Sequence, residues 1–392
     1  MEKKADIKMI TASLFLAILL VGVINTNSLA GLGGLTEFLR ESGQDGISEY
    51  EAEFADHFWI KNDLINLNGT ITKTLNMHIL YSNMGIYVTK DNYIVSAYPS
   101  TSTDYEYEQT VALNAFLSKH NVNLLYVNQP VKYIDDSLME REFSLKSYGN
   151  QNADTFLSRI REAGVQAVDL RENIVSENLN SFALFYRTDH HWTVPTGLWA
   201  SGIIAGSMNQ RFGYHIDMEL LNPAKFTARE WKDSWLGEQG RKIAQTYVGL
   251  DSFVELKPSY PTDYTFKESD GSTKKGTFDA FINEAVYNTS RNVYENGIWH
   301  YSYSALDCIN NNVKKGKVLL LGDSYAMVTE PFLSLGVREI DFLDIRYVSD
   351  DFSLCDYIID RNYDTVLICY AQFMIGAHDD PNSANFRMFD FV

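Results

Sequence analysis

Two short stretches of this 392-residue chain carry side chains whose types and order fit nucleophilic chemistry. Gly322-Asp323-Ser324 follows the apolar run Val318 to Leu321, which is typical of a buried strand. Far upstream, Thr188-Asp189-His190-His191-Trp192 places an imidazole two residues after a carboxylate. Serine is a weak nucleophile until a base takes its proton. If the fold brings the two stretches together, Ser324, His191 and Asp189 make a serine acyl-transfer site.

The spacing of Asp189 and His191 assigns their roles. In an extended turn, side chains two residues apart leave on the same side, so Asp189 can orient the His191 ring while its other nitrogen faces Ser324. His190 is then expected to point away, and Trp192 to pack beneath the loop. Two other interpretations stay open: a helix N-cap aspartate with an incidental histidine, and a metal site. The metal site lacks a second His, Cys or Glu cluster to complete its ligands.

The oxyanion of an acyl transfer needs N–H donors beside Ser324. Ala326 to Leu333 is predicted to be a helix, whose first N–H groups would face the same spot. The Ser324 N–H is one donor, and Asn128, just past its strand, or Gly240 in the Gly237 to Gly240 loop is a candidate for the second. The sequence does not choose between them. Asp323 is predicted to support the turn.

The rest of the chain alternates helical periodicity with buried apolar runs. Such alternation predicts an α/β domain with a parallel sheet and crossover helices. Pro195 is placed to begin a helix that runs to about Phe212. From about 213 to 300 short β-type runs replace the helical periodicity, which predicts a β-rich insertion. The predicted strands are Val122 to Val127, Val165 to Leu170, the run before Gly322, Glu339 to Ile345 and Thr365 to Tyr370.

Charge and cysteine content exclude several classes of protein. The formal net charge of −18 argues against nucleic acid as a partner, because a polyanion needs a basic face. Cys308, Cys355 and Cys369 are too few for a disulfide scaffold, and they show no CxxC metal spacing. Buried free thiols are the expected state.

The N-terminus has the pattern of an export signal. Lys3, Lys4 and Lys8 precede an apolar stretch from Met9 to Ile24, and Ser28-Leu29-Ala30 is an acceptable cleavage site. Uncleaved, the same stretch would be a single N-terminal anchor. Residues 1–30 are therefore predicted to be a signal peptide or anchor, 31–49 a stem, and 50–392 an extracytoplasmic domain, secreted or anchored to the membrane.

Asp189-His190-His191-Trp192-Thr193 with a later Gly322-Asp323-Ser324-Tyr325 resembles the DHHW family, which is related to SGNH-hydrolase-like alginate O-acetylation proteins. Phe54 to Ile65, Pro331 to Leu333 and Asp344 to Tyr347 resemble further family segments. The resemblance implies an SGNH-hydrolase-like parallel sheet flanked by helices and a triad of Ser324, His191 and Asp189. It also implies a polysaccharide substrate, with a multi-pass membrane O-acyltransferase as the acetyl donor. No cofactor is expected.

These observations lead to one expected function with two alternatives. The expected function is a serine O-acetyltransferase that acts on an extracytoplasmic polysaccharide through an acetyl-serine intermediate. The same triad with water as acceptor would make a carbohydrate acetylesterase. The alternative of another class is a non-catalytic surface protein that binds a glycan or a partner and keeps only the fold.

Overall fold

The computed structural model describes residues 61–81, 85–268, 270–282, 293–294, 301 and 307–392. The predicted leader and stem lie outside these residues. The chain divides into two units, residues 1–74 and 75–392, and the described part of the first unit is helix α1 (Lys61–Thr74). In the described part of the chain, no helix is both long enough and apolar enough to cross a bilayer.

The second unit is built on an eight-stranded sheet. Its strands are β4 (Asn123–Gln129), β5 (Gln166–Asp169), β8 (Tyr264–Lys267), β9 (Thr273–Gly276), β10 (Asp307–Asn310), β11 (Lys317–Gly322), β12 (Glu339–Leu343) and β13 (Thr365–Ala371). Their order is β5-β4-β13-β11-β12-β10-β8-β9. The first five strands in this order pair in parallel and the last three add antiparallel partners. The prediction of an α/β fold on a mostly parallel sheet is confirmed.

The parallel strands are buried because their side chains are apolar on both faces, as in sheets covered by helices. Leu319, Leu320, Leu367 and Ile368 are all inaccessible to solvent, and Leu320 pairs with Leu367 on one side and Phe342 on the other. This register aligns the carboxyl ends of β11, β12 and β13. The residues that come after these three strands therefore lie at one edge of the sheet.

Helices connect the strands and pack against them. In the second unit they are α2 (Asp104–Lys119), α3 (Ser137–Phe143), α4 (Gly149–Glu162), α5 (Leu170–Ser176), α6 (Val194–Phe212), α7 (Glu238–Ile243), α8 (Gln245–Val248), α9 (Glu330–Leu333) and α10 (Leu354–Arg361). Helix α6 begins with Pro195 in its first turn, capped by the Thr193 side chain, and ends at Gly213 with a φ of +68°. These are the start and stop signals that the sequence carries.

Two smaller sheets complete the unit. The first is antiparallel, with strands β1 (Ile79–Tyr81), β2 (Ile86–Val88) and β3 (Ile94–Val95), and the second pairs β6 (Phe226–Trp235) with β7 (Asp251–Pro258). The region from 213 to 300, predicted as a β-rich insertion, supplies β6 to β9 and also helices α7 and α8. Strands β8 and β9 lengthen the central sheet, because Tyr264 and Phe266 are buried against its core.

Glu330 on α9 is a buried carboxyl group that gives a prediction for stability. Only 4% of the residue is exposed, and burial, with Asp341 adding, raises its pKa to about 8. Between the unfolded value near 4.5 and this value, the folded chain holds a proton that the unfolded chain releases, so stability falls as the pH rises through this window. Glutamine copies the protonated acid. We expect Glu330→Gln to raise the free energy of unfolding by about 3 kcal/mol at pH 7 and to leave it unchanged near pH 4.

Chemical denaturation at the two pH values checks this. Glu162→Gln on the exposed end of α4 is the matched control, and we expect it to change the free energy of unfolding little at either pH. Equal effects of Glu330→Gln at both pH values would contradict the explanation.

Candidate active site

Ser324 lies in a tight turn directly after the buried strand β11. Glycine is required at position 322, since a Cβ there would lie 2.6 Å from the side chains of both Ala326 and Phe342. Asp323 is fully buried and accepts hydrogen bonds from the N–H of Tyr325 at 2.8 Å and of Ala371 at 2.7 Å. Burial raises the pKa of Asp323 to about 6, and these two N–H groups oppose the rise. Asp323 thus ties the serine turn to the end of β13.

The helix predicted from Ala326 to Leu333 does not form as one element. A 3-10 turn, Ala326–Val328, is followed by the four-residue α9. Pro331 cannot continue a hydrogen-bonded ladder from the preceding turn. The Tyr325 N–H bonds to the Asp323 carboxylate and the Ala326 N–H to the Asp323 carbonyl, so neither is free for an oxyanion.

The structure brings the three predicted residues together. His191 Nε2 lies 2.8 Å from Ser324 Oγ, and His191 Nδ1 lies 2.5 Å from Asp189 Oδ1. Asp189 and His191 are buried, whereas Ser324 keeps partial exposure to solvent. The arrangement can pass a proton from the serine hydroxyl to the imidazole while the carboxylate faces the far nitrogen.

The environment of Asp189 keeps its carboxyl group ionised. Burial alone would raise its pKa, but the adjacent His191 and the hydrogen bonds it donates hold the pKa well below the ordinary value. The carboxylate is therefore an acceptor only. It accepts from His191 Nδ1–H, from the His191 backbone N–H at 2.9 Å and, on Oδ2, from the Glu238 N–H at 2.7 Å. His191 Nε2 is left with its lone pair toward the Ser324 hydroxyl.

His190 does not point away from the site as the alternation of side chains predicted. Its ring centroid lies 3.9 Å from that of His191, and its Nδ1 lies 3.5 Å from Asp189 Oδ1. The loop is a turn rather than an extended segment, so adjacent side chains need not diverge. Removal from water, with the neighbouring His191 ring, lowers the pKa of His190 to about 4. At neutral pH it is an uncharged ring beside the candidate base.

Two aromatic residues tie the histidine loop, residues 187–192, to the turn that holds Ser324. Trp192 Nε1 donates to the Tyr325 carbonyl at 2.9 Å, and the Tyr325 hydroxyl donates to the His190 carbonyl at 2.5 Å. Both side chains are buried, and their ring centroids lie 5.6 Å apart. Each of these two aromatic residues directly follows a candidate catalytic residue in the sequence. Packing against the loop was predicted for Trp192 but not for Tyr325.

Asp251, at the start of β7, is a supporting residue that sequence reasoning missed. Its buried carboxylate accepts from the Arg187 N–H at 3.0 Å, the Thr188 N–H at 2.8 Å and the Thr188 hydroxyl at 2.6 Å. Thr188 Oγ1 in turn accepts from the Gly237 N–H at 2.8 Å. These bonds hold the residues just before Asp189 from a point more than sixty residues later in the chain. No local sequence pattern shows such a contact.

Lys132 is the second supporting residue that the sequence did not reveal. Its ammonium group is buried and donates to the carbonyls of Ile94 at 2.6 Å and Arg187 at 3.2 Å. Burial lowers the pKa of Lys132 to about 7, while Asp189 and Asp251 oppose the fall. The side chain lines a small pocket together with His190 and Tyr325. The Lys132 side chain therefore links β3 to the start of the histidine loop.

Neither predicted second oxyanion donor is placed for that role. Asn128 Nδ2 donates to Asp169 Oδ1 at 2.9 Å, with Gln372 Oε1 at 3.4 Å, and the Gly240 N–H donates to the Thr188 carbonyl at 2.8 Å. Both predictions are corrected, because these donors already serve the frame of the site. The Ser324 N–H has no hydrogen-bond acceptor within the described part of the chain, which leaves it free for an oxyanion.

Asp189, His190 and His191 also offer donor atoms within 4.8 Å of one another, as a metal site would. The short contacts are already explained by hydrogen bonding, since Nδ1–H of His191 donates to Asp189 and Nε2 faces Ser324. The carboxylates of Asp307, Glu339 and Asp341 form a second such group, in which Asp307 and Asp341 are buried and Glu339 is partly exposed. That group is neutralised by ion pairs with Lys267, Lys317 and Arg361.

Gly237 offers a direct test of how tightly Asp189 is held. A Cβ there would lie 2.5 Å from the Thr188 carbonyl oxygen and closer still to Asp189 Cβ. The backbone of the histidine loop must therefore shift to accept Gly237→Ala. Displacement of a catalytic group by about 1 Å costs on the order of 10²-fold in rate, and we expect a loss of ester turnover of that size. Steady-state kinetics checks it.

Gly202→Ala on α6 is the matched control, because a Cβ at Gly202 meets no atom within 4 Å. We expect it to keep full turnover and to add about 0.5–1 kcal/mol to stability, as alanine does in a helix interior. Full turnover in Gly237→Ala would show that the loop is not the rigid support described.

Comparison with known proteins places this geometry in a class. The fold is that of an SGNH hydrolase-like α/β domain. A family profile described as SGNH hydrolase-like domain, acetyltransferase AlgX, matches residues 91–287, just over half of the chain, and the chain belongs to this family. The match includes Asp189 and His191 and ends before Ser324.

Solved structures agree on the fold. PatB1 of Bacillus cereus is 18% identical and superposes with a TM-score of 0.62 over 78% of this chain and 99% of that one. A DHHW family protein from Eubacterium siraeum is 17% identical, with a TM-score of 0.53 over 76% and 91% of the two chains. No curated protein sequence matches the chain significantly. The resemblance to the DHHW family and its SGNH-like relatives is confirmed.

Proposed function

We propose that this protein is a serine O-acetyltransferase that moves an acetyl group through Ser324 to a hydroxyl of an extracytoplasmic polysaccharide. The observation that carries the proposal is the line of contacts from Asp189 through His191 to the partly exposed Ser324. Membership in a family of acetyltransferase domains supports the same reaction class.

The first half of the reaction forms an acetyl-enzyme. Ser324 Oγ attacks the acetyl carbonyl of the donor while His191 Nε2 takes the hydroxyl proton. Asp189 stabilises the imidazolium that results, and the Ser324 N–H donates to the oxyanion. Collapse of the tetrahedral intermediate breaks the bond to the donor alcohol, which leaves with the proton from His191.

In the second half, a sugar hydroxyl gives its proton to His191 and attacks the acetyl-serine. The bond from the acyl carbon to Ser324 Oγ breaks, and the proton returns from His191 to that oxygen. Water in place of the sugar hydroxyl would give an acetylesterase. The N-terminal lysines and apolar stretch support export, and we propose a multi-pass membrane acyltransferase as the donor partner.

An acetyl-transfer assay tests the proposal. Purified protein is incubated with 4-nitrophenyl acetate, with and without neutral oligosaccharides. The masses of the products are then measured by mass spectrometry. We expect release of nitrophenol that accelerates with oligosaccharide, together with acetylated sugar. Release without any acetylated sugar would assign the protein as an esterase. If no nitrophenol is released above background, the enzymatic function is refuted and the non-catalytic binding protein is favoured.

A further inference from the structure

A large open cleft lies beside the candidate active site, and the acetyl-transfer steps proposed for Ser324 do not use it. Its volume is about 400 Å³, within the range of small-molecule and sugar sites. The cleft is bounded by the loop after β13, by the segment before α2 and by the start of α4. The lining side chains that bear on ligand binding are Tyr98, Thr101, Phe373, Asp379, Asp380 and Asn385.

An aromatic wall joins this cleft to the candidate catalytic residues. The Phe373 ring lies 5.7 Å from the ring of Tyr325, the residue directly after Ser324, and 6.1 Å from the His190 ring. On its other side Phe373 stacks with Tyr98 at 6.3 Å and an interplanar angle of 2°. The Phe373 ring that lines the cleft is therefore also a neighbour of the serine turn.

The polar lining of the cleft suits hydroxyl groups. Asn385 brings an amide, and Ser100, Thr101 and Ser383 bring hydroxyls. The Asn152 amide is already engaged, because its Nδ2 donates to the Pro99 carbonyl at 2.9 Å and its Oδ1 accepts from the Thr101 N–H at 3.5 Å. Thr101 Oγ1 is buried and has no hydrogen-bond partner among the described residues. A buried hydroxyl without a partner is costly unless another group supplies the bond. Aromatic faces flanked by amides and hydroxyls match the alternation of C–H faces and hydroxyls on a sugar ring.

The walls of the cleft are held in place before any ligand binds. The buried Glu106 carboxylate accepts from the Gly376 N–H at 2.9 Å and the His378 N–H at 3.4 Å. Asp379 Oδ2 accepts from the Ser102 N–H at 2.7 Å, which links the two sides of the cleft. Such pre-organisation lowers the entropy cost of binding.

The charge of the cleft is negative. Asp379 and Asp380 are exposed and are the charged side chains among its described lining residues. Arg346 donates to Asn385 Oδ1 at 2.7 Å and is paired with Asp344. The His378 ring is stacked between Tyr105 and Phe386 rather than facing the cleft. The whole chain carries −18, which adds to the field.

We infer that this cleft is the acceptor subsite, and that it takes a neutral or amine-bearing glycan and rejects a polyanionic uronate chain. The inference rests on the proposed function. The Tyr98–Phe373 wall contacts a sugar face, and Thr101 and Asn385 hydrogen-bond its hydroxyls. Asp379 and Asp380 repel carboxylates, since like charges at a binding surface oppose association. The acceptor hydroxyl then reaches the acetyl-Ser324 past the edge of Phe373.

Binding to a Ser324→Ala protein tests the inference without needing turnover. Tetramers of N-acetylglucosamine, glucosamine and mannuronate are titrated by calorimetry at low salt. We expect the neutral and amine tetramers to bind at least about tenfold more tightly than the uronate. Raising the salt from about 0.05 to 0.5 M should narrow that gap, because screening weakens the repulsion. This salt series needs no change in the cleft.

Substitutions then locate the effect. Asp379→Asn with Asp380→Asn should raise uronate binding relative to the neutral tetramer by about fivefold or more, and Ser383→Lys, a second variant, should do the same. Asp360→Asn, at the opposite edge of the sheet before β13, removes the same charge and should change nothing. The inference is overturned if the uronate tetramer binds as tightly as the neutral tetramer or more tightly, or if no tetramer binds. It is also overturned if the cleft variants leave the ratio of uronate to neutral binding unchanged. If the unmodified protein shows no ester turnover, the proposed function is refuted instead.

Discussion

Ser324→Ala is expected to lower turnover of 4-nitrophenyl acetate by at least about 10⁴-fold while the protein folds normally. The Ser324 hydroxyl is the group of the protein that bonds to the acyl carbon in the proposed mechanism, so its removal stops both halves of the reaction. The side chain is partly exposed, and its Oγ contacts His191 Nε2 rather than the core. We therefore expect thermal unfolding to change little.

Ser158→Ala on the exposed face of α4 is the matched control, and it should keep native turnover. The rates of both variants are compared with the uncatalysed reaction in the same buffer. Turnover that survives Ser324→Ala would show that Ser324 does not carry the reaction and would refute the proposed mechanism.

Asp189→Asn is expected to lower turnover by about 10³ to 10⁴-fold. Both carboxylate oxygens accept from N–H groups, Oδ1 from His191 and Oδ2 from Glu238. An amide must turn its NH₂ toward one of these donors. Turned toward His191, it favours the tautomer with the proton on Nε2, which can no longer accept the proton of Ser324. Turned toward Glu238, it loses the bond that positions the loop.

The measurement is steady-state kinetics with a thermal unfolding scan of the same sample. Asp360→Asn provides the same atom replacement at the far edge of the sheet and should leave the rate unaltered. Because the pKa of Asp189 is held well below its ordinary value, we expect no loss of activity from its protonation down to about pH 4. A rate in Asp189→Asn within tenfold of the native rate would mean that His191 needs no orienting carboxylate.

The central strands could be predicted because their burial leaves a direct mark on the sequence. β4, β11 and β13 are buried along nearly their whole length, and each reads as a continuous apolar run that ends at polar residues. The pairing of Ser324 with His191 could be predicted from residue type. Each stands beside an aromatic residue that the fold uses to join the two loops.

The predictions that failed and the supporting residues that were missed have a common physical cause, which is hydrogen bonding between residues far apart in the sequence. The donors of Asn128 and Gly240 are committed to Asp169 and to the Thr188 carbonyl, and no spacing in the sequence shows this. Asp251 and Lys132 hold the histidine loop from other elements for the same reason. The helix after Ser324 was predicted from composition, but Asp323 takes the Tyr325 N–H and Pro331 interrupts the ladder one turn later.

The central claim is that Ser324 itself carries the acetyl group, and one measurement tests it most directly. The protein is mixed with 4-nitrophenyl acetate, quenched in acid and digested with trypsin, which cuts after Lys317 and Arg338. We predict that the segment Val318 to Arg338 gains the mass of one acetyl group, that fragmentation places it on Ser324, and that the gain is lost in Ser324→Ala. Nitrophenol release with the acetyl group on another residue, or with no acetyl-enzyme at any quench time, would contradict the account.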